Sequence, residues 1–195
     1  MTSILKADTI QDTDGNNIIN ESGNTITIGA SGDTTNIIGT LQNNGAAVGG
    51  TNTPAFEAYL GGSGGQSVSD NTVTKVQANV EVYDTDNAYD NSTNYRFTPQ
   101  TAGKYLVYAS IQNEGGGNSN LAESFLYIKK NGSSNILETQ NDYSANPGRS
   151  DVIFNSMIVD MNGSSDYVEL YGRINSEDGS GQLFESDSQF VFLKY

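Results

Sequence analysis

Short apolar runs of strand period, separated by polar and glycine-bearing turns, fill the last three quarters of the chain. Phe125-Leu-Tyr-Ile and Tyr167-Val-Glu-Leu-Tyr-Gly-Arg-Ile place alternate side chains on one face, the signature of a half-buried strand. Comparable runs lie at Ala55–Leu60, Val73–Tyr83, Tyr95–Phe97, Lys104–Ile111, Ser124–Lys129, Val152–Met161 and Gln189–Lys194. The pairs Asn131-Gly132 and Asn162-Gly163 supply residues that tolerate positive φ, as hairpin turns require. No segment sustains an apolar repeat of helical period. The chain therefore reads as all-β, and its hairpins and longer connections argue for a two-sheet jelly roll.

Residues 1–50 follow another pattern. They lack aromatic residues and proline, and the apolar pairs Ile18-Ile19, Ile26-x-Ile28 and Ile37-Ile38 recur between glycine-bearing turns. Strands this short cannot alone bury enough surface to offset their ordering entropy. The segment is either a tether that orders on attachment or, the reading favoured here, a thin β shaft intertwined with neighbouring chains. The small residues of 45–53, closed by Pro54, read as a linker. The expected organisation is a shaft or attachment segment at 1–44, a linker at 45–53 and a globular head at 54–195.

Composition narrows function mainly by exclusion. The chain has 23 Asp+Glu against 9 Lys+Arg, a net charge of −14, which disfavours nucleic acid and anionic lipid as partners. It has no Cys and no His, so disulfides, thiolate metal sites and the commonest general base are all absent. No apolar run is long enough to insert into a membrane as a helix, and the start Met1-Thr-Ser-Ile-Leu-Lys does not look like a signal peptide. The product is expected to begin in the cytoplasm and to reach any surface by assembly.

One stretch carries more than a strand pattern. Tyr89-Asp90-x-x-Thr93, Phe97-x-Pro99 and Gly103-x-Tyr105 resemble the corresponding stretch of the globular head of complement component one q, whose fold is that of tumour necrosis factor. Phe56, Asp166-x-Val168-x-Leu170 and the closing Phe192-Leu193 extend the resemblance over residues 54–195. Departures are one extra residue between Thr93 and Phe97, another between Pro99 and Gly103, and Val191 where the family has glycine. The resemblance implies a ten-stranded jelly roll that forms a homotrimer around a threefold axis, and binding work in place of catalysis. The start Ile4-Leu-Lys-Ala-Asp-Thr-Ile10 is similar to leaders of phage tail-fibre proteins, which implies a virion location and attachment through Ile4, Leu5, Ile10, Ile18 and Ile19.

The densest carboxylate cluster is Asp84-x-Asp86-x-x-x-Asp90. Tyr89 and Tyr95 occupy the positions where an EF-hand needs Gly and Glu, so turn capping is the expected role. These three remain the weak candidates for a metal, since some heads of this family carry calcium near the trimer apex; no other cofactor is expected. The loop Gly61-Gly-Ser-Gly-Gly-Gln66 lacks the Lys-Ser/Thr and the helix of a phosphate cradle. Phe97, Tyr105, Phe125, Tyr127, Phe154, Phe190 and Phe192 are assigned to core or trimer-axis packing, whereas Tyr59, Tyr89 and Tyr143 flank polar corners suited to stacking on a sugar.

Strict alternation of strand direction would place the loop after the opening strand, Thr98–Gly103, Asn131–Ser150 and Asn175–Ser188 at the end remote from the linker. Asn113–Ala122 and Asn162–Ser165 would then face the shaft. The long remote loops nominate Asn141, Asp142, Tyr143, Arg149, Glu177 and Asp178 as ligand-binding residues. The expected protein is a non-enzymatic, homotrimeric phage fibre or receptor-binding virion protein, held to other virion proteins through residues 1–50 and adhering to a host-surface glycan or protein. Alternatives are a structural tail or head decoration fibre and a bacterial adhesin.

Overall fold

The computed structural model describes residues 9–11, 13–14, 17–22, 25–28, 31–39, 41–43, 46–47, 53–116, 120–180 and 182–194. The chain divides into two compact units, Met1–Gly50 and Thr51–Tyr195. In the first, β1 (Thr9–Gln11), β2 (Asn17–Ser22) and β3 (Thr25–Ile28) form an antiparallel sheet, and β4 (Gln42–Asn43) pairs with β5 (Ala46–Ala47). The nine-residue spacing of isoleucines becomes a ladder: Ile10 lies opposite Ile19, and Ile19 opposite Ile28. All three side chains are exposed. Ile18 lies beside them in β2, while Ile4 and Leu5 fall outside the described residues.

The second unit is a two-sheet roll without a helix among the described residues. One sheet runs β7 (Gln66–Ser67), β17 (Gln182–Phe184), β12 (Ala102–Gly115), β18 (Gln189–Lys194), β6 (Ala55–Tyr59) and β9 (Val80–Asp84). The long strand β15 (Ser150–Asn162) pairs along the other side of β12. The second sheet runs β10 (Tyr89–Asp90), β11 (Arg96–Phe97), β16 (Val168–Ser176), β13 (Leu121–Lys130) and β14 (Ser134–Asp142), with β8 (Thr74–Lys75) also on β16. Four of these strands, β7, β8, β10 and β11, are only two residues long.

The family-like residues converge inside the roll. Phe56 stacks on Tyr89 at 4.3 Å and on Phe97 at 4.7 Å, and meets Phe190 edge-on at 5.3 Å. Phe192 lies 4.8 Å from Phe97 and 5.9 Å from Tyr105. The buried phenols keep partners: Tyr89 donates to the Ala78 carbonyl and Tyr105 to that of Thr101. Burial pushes Tyr105 up to about 12 and raises Tyr89 further. Thus Tyr89, assigned from sequence to an exposed polar corner, is core, because its ring sits against Phe56 and only its neighbours are polar. Gly172 is required by close packing, since a Cβ there would stand 2.6 Å from the Phe184 ring.

The aspartate cluster serves the turns. Asp84 accepts from the Tyr89 and Asp86 amides; Asp90 accepts from the amides of Ser92, Thr93 and Asn94 and from the Asn94 side chain. Asp86 accepts from the Thr85 hydroxyl. These bonds, led by that from Thr93, hold the Asp90 carboxyl well below the usual carboxylate range. The sign follows: a depressed folded-state pKa contributes stability that is complete above the unfolded value of about 4 and fades as pH falls through the folded one. Asp90→Ala is therefore expected to destabilise the unit by about 1–2 kcal/mol at pH 7. Chemical denaturation repeated down to pH 2 should show the gap narrowing; a constant gap would contradict this role.

Candidate functional site

Strand register decides which loops share an end of the roll. β6 and β12 run parallel to each other, each antiparallel to β18 between them, so the end of β12 lies away from Pro54. The remote end gathers 60–65, the described parts of 116–120, 143–149 and 177–188. Two sequence expectations are corrected. The connection 98–103 lies at the Pro54 end, where β12 begins, and 113–122 lies at the remote end. The supposed long loop 131–150 is mostly strand β14, entered by a tight turn at Asn131 and Gly132 (φ 55° and 76°). Counting directions failed because the two-residue strand β10 went unrecognised while its partner β11 was counted, which reversed the parity until the omission of β14 reversed it back.

At the remote end the nominated residues divide into anchors and exposed groups. Asp151 Oδ2 accepts from Ser124 Oγ at 2.5 Å and Asn141 Nδ2 at 2.8 Å, and the Tyr143 hydroxyl lies 3.4 Å away. Asp151 Oδ1 accepts from Asn113 Nδ2 at 2.9 Å. Tyr143 is half-buried and packs on the core, and burial followed by the nearby Asp151 charge raises its pKa. Asn141 and Tyr143 thus hold the 143–149 loop to the roll. Asp142 caps the Ser144 amide and hydroxyl, which lowers its pKa. Arg149, Glu177 and Asp178 are exposed; Arg149 lies 3.6 Å from Glu114, and Asp178 accepts from Asn120.

Asp151 and Asn113 escaped notice in the sequence, although a signal existed. The inward alternation Tyr105, Val107, Ala109, Ile111 continues onto Asn113, a polar residue at a core position. Among the described residues, no group of three acidic side chains is disposed to hold a metal ion. The Asp84, Asp86 and Asp90 carboxylates are already engaged as described above.

A second surface is apolar. β15 turns Val152, Phe154 and Ile158 outward, 56%, 63% and 50% exposed, and Leu106 of β12 stands beside Ile158. Tyr108, Val191 and Leu193 continue this face at half-buried positions. An edge strand thirteen residues long with a hydrophobic outer row is a liability in water unless something covers it.

No protein-family model and no curated protein matches the chain. Among solved structures, murine APRIL at pH 5.0 matches with TM-score 0.50 and 10% identity, over 72% of this chain and 98% of that one. Eiger TNF from S. frugiperda matches with TM-score 0.51 and 13% identity, over 72% and 91%. The globular domain of zebrafish complement 1qA matches with TM-score 0.46 and 15% identity, over 72% and 93%. At 10% and 13% identity, APRIL and Eiger establish fold alone: the second unit has the tumour-necrosis-factor-like jelly-roll fold.

Proposed function

We propose that the chain is a non-enzymatic, homotrimeric binding protein of a phage virion, a fibre whose head adheres to a host-surface glycan or protein. The observation that carries the trimer is the uncovered row Val152, Phe154 and Ile158 on the outer face of β15. Burying each such side chain stabilises association by roughly 1.5–3 kcal/mol. On the same sheet Lys104 and Asp160 pair with each other at 2.8 Å, so that pair adds no net charge to the face of a chain whose net charge is −14. The tumour-necrosis-factor-like fold supports placing this sheet on a threefold axis.

The exposed ladder Ile10, Ile19 and Ile28 supports a first unit that is completed by other chains, either in a shaft or in a virion socket. The remote loops, with Arg149, Glu177 and Asp178 exposed, are the surface offered to a target, and three copies would add avidity to a weak site. A calcium ion at the apex belongs to the same proposal as an optional stabiliser. Electron microscopy of virions labelled with antibody against the head tests the assignment. Label at fibre tips is expected; label absent from the particle would remove the virion role, and label confined to the capsid surface would favour a decoration fibre.

A further inference from the structure

The outward face that bears the uncovered row on β15 finishes, at the remote end, in two carboxyl groups. Along β12 the outward positions Leu106, Tyr108, Ser110 and Gln112 lead to Glu114, and Gln112 lies opposite Val152. Two residues along a strand span about 7 Å, so Glu114 borders the exposed Val152. On the other flank of β12, Glu114 lies opposite Leu183. Phe184 turns into the core, so Leu183 and Glu185 turn outward with Glu114, and the Glu185 amide donates to the Gln112 carbonyl. The two carboxyl groups share a hydrogen bond, which needs a proton on one of them because a carboxylate only accepts. That bond, then burial, then the Glu114 charge raise the Glu185 pKa, and Arg149 opposes them.

Little around the pair offsets its charge. Arg149, its side chain 69% exposed, lies 3.6 Å from Glu114 Oε1. The adjoining loop 61–65 has no charged residue and packs closely: a Cβ on Gly65 would stand 3.2 Å from Glu185 Cα. Ser188, which accepts from the Gln112 amide and donates to the Glu185 carbonyl, is neutral. Asp187 is exposed on the same turn, and Asp151 turns inward to Asn113.

Cyclic symmetry brings like ends together. Copies that meet through the β15 row in one orientation set their Glu114–Glu185 pairs at the same end of the interface, two carboxyl groups per copy against one guanidinium. We propose that this pair makes assembly proton-dependent: each copy takes up a proton from solvent at Glu114 and Glu185 as the trimer forms, so that acid tightens it. This device rests on the trimer proposed above. Desolvation and repeated like charge both disfavour the ionised form at such an end. A group that holds its proton more tightly in the assembled state strengthens association as pH falls through its range. The gain levels off once both states are protonated.

Fluorescence-detected sedimentation of the full chain on dilution tests it, in EDTA and about 0.5 M salt, where screening over about 4 Å removes long-range repulsion of the net charge. At pH 5 the concentration at half-dissociation is expected to lie about tenfold or more below that at pH 8. The Glu114→Gln/Glu185→Gln variant should lose that dependence and hold together at pH 8 as tightly as the unaltered chain at pH 5. Glu138→Gln, which removes a charge from the second sheet, should keep it. Circular dichroism at each pH keeps loss of fold apart from loss of assembly. An undiminished pH dependence in the double variant would overturn the proposal. A monomer at both pH values would remove the trimer itself, whereas a trimer equally stable at both would overturn the proton linkage alone.

Discussion

Phe56→Ala will cost the head about 3–5 kcal/mol of folding stability, the range for emptying a fully buried phenylalanine site. Phe56 is fully buried and touches the rings of Tyr89, Phe97, Phe190 and Phe192, which come from three different strands, β10, β11 and β18. None of those rings can follow the missing side chain without leaving its own strand register, so the cavity stays open. The loss is a large fraction of the roughly 5–15 kcal/mol that holds a domain together. Urea denaturation followed by circular dichroism measures it, since the chain has no Trp to report. Combining Phe56→Ala with Phe192→Ala should cost less than the two single losses added, because the rings share one cluster. A single-variant loss below about 1 kcal/mol would show that the aromatic cluster is not the head's core.

The second large effect is on assembly. Phe154→Asp is expected to convert the proposed trimer to monomer while leaving the fold of the head intact. Phe154 is 63% exposed, so the monomer loses little by the change. In a trimer it would stand in an apolar interface, where the introduced carboxylate is desolvated and, near the axis, repeated against its own copies. Desolvating unpaired charge costs several kcal/mol per site. Sedimentation velocity should show the smaller species, and circular dichroism an unchanged β spectrum. A trimer that survives the substitution would place the interface elsewhere on the molecule.

How far the sequence could be read follows from where each signal came. β6, β13, β16 and β18 were visible because one face of each is apolar by strict alternation or continuous burial, as in Phe125-Leu-Tyr-Ile. β14 was missed because Ser134, Asn135, Glu138 and Gln140 make an edge strand whose outer side is polar, leaving only Ile136 and Leu137 as apolar markers. That omission turned the hairpin of β13 and β14 into a supposed long loop, whereas 98–103 and 113–122 were misplaced upstream of it, by the unrecognised two-residue strand β10. Asn141 and Tyr143 were found as residues of interest, yet their partner Asp151 was not, since strand pairing and not sequence spacing brings Asn113, Ser124 and Asp151 together. Phe154 illustrates the reverse limit. Alternation marks it as apolar on one face of β15, but only the two-sheet packing shows that this face is the outer one.

The central claim is a trimeric binding head, and the most direct measurement is sedimentation equilibrium of the full chain. Three copies of a 20.8 kDa chain predict a species of about 62 kDa, persistent on dilution. A species of 20.8 kDa at micromolar concentration would contradict the account, because the apolar row on β15 would then stand uncovered in solution.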